Sequence, residues 1–219
     1  MKPTRDTAYL TIATSIVSAL ALLLTYSTQN LTLNFPPAFR YLSSFIHVIC
    51  FTWLMIFVVS ILKYANEKPF IINTFIIYLI YSLLLGLTNI AVGLFNIPVE
   101  KILIFYTANG FVNLLAVIWL VVIVFLLRPT EFRLPLRIFA FSELFILLFY
   151  TAIPPLLVLS GNSDYRIYIR YLSLVYLIIP AVGLYIAVTA LNVINKQLWQ
   201  KPFSETENPD WPPYEKPNL

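Results

Sequence analysis

Residues 136–159 read LRIFAFSELFILLFYTAIPPLLVL. The run is long and apolar enough to cross a bilayer as a helix, yet it carries a carboxylate, Glu143. Seven residues separate Glu143 from Leu136, which at a helical rise sets it about 10 Å inside a hydrocarbon core roughly 30 Å thick. An acid at that depth costs about 2 to 4 kcal/mol on insertion scales, so it is expected to face protein or a wet cavity rather than lipid. It is the one acidic side chain away from the ends of the expected spans.

The rest of the chain repeats the apolar pattern. Of 219 residues, 60% are hydrophobic and 11% charged, with a mean hydropathy of +0.84. Soluble domains are about 45–50% apolar and 25% charged. Apolar runs long enough to span recur at 8–28, 41–62, 70–95, 102–127, 136–159 and 167–193. The expected fold is therefore an all-α integral membrane protein, a six-transmembrane-helix bundle over residues 1–195. A polar, proline-rich tail follows at 196–219. Lys2 and Arg5 before the first run resemble a signal peptide, but Leu22, Leu23 and Leu24 carry it past the small-residue site at Ala19-Leu20-Ala21, so a retained helix is expected.

Cations fix the expected orientation. The N-terminus, the second and fourth loops and the tail hold Lys2, Arg5, Lys63, Lys68, Arg128, Arg133, Arg137, Lys196, Lys201 and Lys216; the other side holds Arg40, Lys101, Arg166 and Arg170. Ten against four places both termini in the cytoplasm. The net charge of +4 is accounted for by these flanking residues, and no basic stripe with interleaved aromatics outside a span points to nucleic acid. The cell membrane of a bacterium or archaeon is the expected location. The sequon Asn30-Leu31-Thr32 matters only in a eukaryotic secretory membrane.

Polar residues inside the spans are the candidates for function. With Glu143, the intramembrane polar site is expected to draw on Asn109 and Asn113 of the fourth span, Tyr150 at i+7 from the acid, and His47. Protonated, Glu143 could donate to Asn109, Asn113 or Tyr150; it is read either as a proton or cation site or as a neutral staple between helices. His47 is expected to be satisfied by Ser43 or Ser44 one turn before it. One histidine and one cysteine, Cys50, exclude paired-histidine haem ligation and any multi-cysteine metal site. No metal site is expected, and no cofactor is implied. Ser82, Gly86, Asn89 and Gly93, with Asn96, keep to one face of the third span and are read as a helix-packing stripe. Thr11, Ser15 and Ser18 do the same on the first.

Prolines give further expectations. Pro154-Pro155 is expected to end or kink the fifth helix near Ile153, and Pro180 to kink the sixth. Gly161-Asn162 signals a turn, Asp164 and Arg166 flank it as a solvated pair, and Arg170 snorkels to the interface. Lys196, Trp199 and Lys201 anchor the start of the tail, and Pro209-Asp210-Trp211-Pro212 fits a PxxP pattern.

An enzyme is not the expected class. HExxH, GxSxG, P-loop and GxGxxG patterns are all missing, and neither Ser142 nor Ser160 has a base at a usable spacing. Ser142-Glu143 and the phenylalanine-rich run after it resemble the serine–glutamate membrane helix of cytochrome oxidase subunit III. That family continues with several more spans and histidine-rich segments, whereas here one span and no histidine follow, so membership does not extend from these few residues. The leading expectation is a non-catalytic subunit or scaffold that binds other membrane components in the bilayer, whether foreign subunits or further copies of itself. Five glycines in 219 residues and short loops favour it over a carrier. The alternative is a small-solute or proton- or cation-coupled transporter or channel using Glu143. No repeat of the first three spans in the last three supports an inverted-repeat carrier.

Overall fold

The computed structural model describes residues 3–30, 37–95, 97, 99–159 and 173–196. The expected turn at Gly161-Asn162, the Asp164–Arg166 pair, Arg170, Asn96, most of the sequon, and the tail with Trp199, Lys201 and its PxxP pattern lie outside them. Six long helices make up the described chain, with no strand among the described residues: α1 (Arg5–Asn30), α2 (Pro37–Tyr64), α3 (Pro69–Leu94), α4 (Val99–Phe125), α5 (Arg133–Leu159) and α6 (Ile178–Asn195), the last entered through a 3-10 turn, Ser173–Leu177. Each contains a stretch long and apolar enough to cross a membrane, consistent with a multi-pass membrane protein. Helices satisfy their own backbone groups without water, which is what hydrocarbon requires.

The helices stop where the sequence supplies a stop. α2 ends in Asn66, whose φ of 53° lies in the left-handed region. There the Glu67 amide donates to the Leu62 carbonyl and the Asn66 amide to Lys63, closing the last turn. Asparagine thus does here what glycine usually does. α3 opens on Pro69, at a position whose N–H would have no helical partner.

The expected end of the fifth helix at its proline pair is corrected. α5 does not end near Ile153; it stays helical through Pro154-Pro155 to Leu159. A pair so near the end of a span interrupts the backbone ladder only in its last turns, where membrane helices tolerate the loss. Pro180 is the third residue of α6, and the 3-10 turn runs directly into that helix, so the helical path tightens just before the proline.

Neighbours in sequence are neighbours in space, and α6 closes the ring against α1. Between lipid-soluble helices there is no hydrophobic drive to associate, so close packing must hold them. Phe57, Phe75, Phe139, Leu120, Ile123, Leu136 and Ile186 are fully buried, and among the described residues most of the buried side chains lie in one half of the bundle. That half is the one ending in the loops 65–68 and 126–132. The other half is looser: residues 105–108 and 110–112 of α4 are all exposed, covering every face of the helix.

Close approaches explain the few glycines. A Cβ on Gly86 would stand 2.8 Å from Val48, one on Gly93 2.9 Å from Tyr41, and one on Gly183 2.6 Å from the Ser15 hydroxyl. The α2–α3 seam thus uses Gly86 and Gly93 of the sequence stripe, and the Tyr41 hydroxyl donates to the Gly93 carbonyl at 2.8 Å. Ser82 donates to its own helix at Tyr78, and Asn89 is exposed. On α1, Thr11, Ser15 and Ser18 are all buried.

Candidate functional site

Glu143 lies ten residues into α5 and Tyr78 nine residues into α3, both counted from the basic end of the bundle. At a helical rise this sets them at about 15 and 14 Å, the same level in the bundle. Tyr78 is buried, and its hydroxyl lies close enough to the Glu143 carboxyl for the two groups to interact. Phe139 and Ile146, one turn to either side of the acid, are buried and apolar. One carboxylate oxygen, Oε1, is buried without a hydrogen-bond partner.

Three more tyrosines complete the surroundings. Tyr176, in the 3-10 turn, stands within electrostatic range of both Glu143 and Tyr78. Its ring packs on Tyr150 with centroids 4.8 Å apart. One helical turn above Tyr78, the Tyr81 hydroxyl donates to the Asn109 side-chain oxygen at 2.9 Å and to its backbone carbonyl at 3.2 Å. The polar groups therefore form a thread from α4 through α3 to α5 and the 3-10 turn: Asn109, Tyr81, Tyr78, Glu143, Tyr176, Tyr150. Such an arrangement can hold a proton or fix helices together.

Of the residues singled out by sequence, Glu143, Tyr150 and Asn109 belong to this thread. Asn113 does not; it is half-buried and makes no hydrogen bond among the described residues. His47 is elsewhere, on the α1–α2 seam, and its expected partners are corrected. Its Nδ1 meets the Ser18 hydroxyl at 2.8 Å, while Ser43 is bonded to Thr25 of α1. Beside it, Trp53 Nε1 donates to the Thr11 hydroxyl at 3.1 Å. Polar side chains here are satisfied across helices, and a turn-by-turn reading of α2 alone sees only local partners. Cys50 is a free, buried thiol. Among the described residues no three His, Cys, Asp or Glu side chains converge as metal ligands.

The chain matches no family model, and no curated protein or solved structure is significantly similar to it. Function has to be read from the geometry.

Sequence reasoning passed over Tyr78, Tyr81 and Tyr176 because phenols hide among 14 tyrosines and 17 phenylalanines. Matching the depth of each hydroxyl to that of Glu143 is the signal that finds Tyr78. It also passed over Glu67, in the loop after α2. That residue is buried, and its Oε1 accepts the Arg128 amide at 3.0 Å, pinning the α2–α3 loop to the end of α4. Burial pushes the Glu67 carboxyl above the usual range, while the Arg128 amide and the Arg128 and Lys68 charges pull it back.

Proposed function

We propose that the chain is a non-catalytic subunit or scaffold that binds another membrane component along the looser half of α4, inserted by six spans with both ends in the cytoplasm. The orientation draws its support from Arg5, Lys63, Lys68, Arg128, Arg133, Arg137 and Lys196, which the helix order sets at one end of the bundle. The observation that carries the partner reading is Asn113. It lies two residues from the centre of the span Phe105–Phe125, half-exposed and without an in-chain hydrogen bond.

The contrast with the hydroxyls gives that observation its weight. Thr52, Thr74, Thr88, Thr151 and Thr189 each donate to a carbonyl of their own helix and so carry no unmet polar group into lipid. An asparagine amide facing lipid without a partner is costly, and polar groups from a second membrane chain are the usual way to meet it. Gly110, one turn away, has open space around it, so another helix can approach closely. Purification of the full chain in mild detergent tests this. A foreign chain should co-purify with wild type and be lost on Asn113→Leu; a lone monomer or homo-oligomer contradicts it.

One observation favours a second reading, proton- or cation-coupled transport through Glu143: its Oε1 is buried yet unpartnered. Asn109 and Tyr81 would extend the path toward α4. Reconstituted wild type and Glu143→Gln should then differ in pH-driven flux; equal flux eliminates a coupling role.

A further inference from the structure

The outward face of α5 carries a second feature, independent of the partner reading. Leu134, Ile138, Phe141 and Phe145 fall at spacings of four, three and four and are all exposed. With Phe125 of α4, Arg137 and Ser142 they line a shallow, open surface groove of about 520 Å³. From Arg137 to Phe145 the groove runs about 12 Å along the helix, most of the depth of one leaflet's hydrocarbon, half of roughly 30 Å.

Arg137 stands in the basic end of this groove. Its guanidinium carbon lies 5.0 Å from the Phe125 ring centroid, and its Nε donates to the Val124 carbonyl at 3.4 Å. Those two contacts hold the cation in place, and no carboxylate among the described residues pairs with it. Arg133, one turn earlier, has its Nε buried without a partner. An apolar groove running most of a leaflet's depth, with a preorganised arginine where the headgroups lie, is complementary to one kind of molecule. Basic pockets at helix ends recognise anionic headgroups in this way.

We propose that this groove is a binding site for an anionic glycerophospholipid, its phosphate on Arg137 and one acyl chain along Ile138, Phe141 and Phe145. Arginine suits the role because its planar fork matches phosphate oxygens in pairs. The full chain in mild detergent is titrated with dioleoylphosphatidylglycerol and, separately, dioleoylphosphatidylcholine, with bound lipid read by native mass spectrometry. Both lipids offer a phosphate, but in phosphatidylcholine the choline cation cancels its charge, so the expected result is a preference of about tenfold for the lipid with net negative charge, about 1.4 kcal/mol.

Arg137→Gln should abolish the preference, and Ile138→Trp, which fills the groove from an exposed position, should reduce binding of both lipids. Should Arg137→Gln not fold, the Ile138→Trp result decides alone: retained anionic-lipid binding overturns the proposal. Equal binding of the two lipids by wild type, or a preference that survives Arg137→Gln, overturns it as well. Excess inorganic phosphate should leave the lipid bound. If phosphate displaces it, the site takes a free anion and the lipid assignment fails.

Discussion

Glu143 and Asn113 are both polar groups near the middle of a span, and the chain treats them oppositely. The acid is drawn into the bundle beside the buried Tyr78; the amide is left partly exposed and without a hydrogen bond. Burial of Glu143 follows from the cost of a carboxylate in lipid, and that much could be read from its depth in the sequence. Of the tyrosines around it only Tyr150, on the same helix, could be read that way; Tyr78, Tyr81 and Tyr176 come from two other elements. Glu67 is the residue whose titration can be tested outside the membrane. A carboxyl held above its ordinary value of about 4.3 binds its proton more tightly in the folded chain. Its contribution therefore favours folding most at low pH and is lost as pH rises through the raised folded value. Glu67→Gln keeps an acceptor for the Arg128 amide and removes the charge, so its unfolding midpoint in detergent should fall less than wild type's as pH rises, and should not be lower than wild type's at neutral pH. Identical slopes contradict the assignment. Glu67→Ala, which loses the acceptor altogether, should cost about 1–2 kcal/mol.

The number, type and approximate ends of the helices were legible in apolar run length alone; five of six starts fall within four residues of expectation. The exception is the last, where the described chain enters by a 3-10 turn and the α-helix begins only at Ile178. Pro154-Pro155 misled because a proline's local penalty says nothing about its place in the bundle. His47 misled for a related reason: its partner Ser18 is 29 residues away, beyond any periodicity argument. What the glycines do became visible only with the neighbouring helices in place. At the α1–α6 crossing, Gly183→Ala would set a methyl 2.6 Å from the Ser15 hydroxyl and 3.2 Å from Leu54. It should cost about 1–3 kcal/mol through overpacking. Adding Ser15→Ala removes the clashing oxygen and should restore most of that loss in a thermal unfolding series. Gly110→Ala, with open space around it, should leave the isolated chain as stable as wild type or up to about 1 kcal/mol more stable.

At the scale of the whole molecule, the described residues are unevenly packed. Its basic half holds most of the buried core, with Glu67 pinning the α2–α3 loop to the end of α4. Its other half leaves the start of α4 exposed on all sides. In a bilayer, where packing rather than hydrophobic burial holds helices together, the loose half is the one open to another helix. Reporter tags on the two ends should both report the cytoplasm; tags in opposite compartments contradict the six-span insertion. The partner reading is tested most directly by a photo-crosslinking side chain at position 113, irradiated in native membranes, with position 77 of α3, exposed in the well-packed half, as control. The account predicts an adduct with a different membrane chain from 113 and none from 77. Adducts only with lipid or with a second copy, or the same adduct from both positions, contradict it.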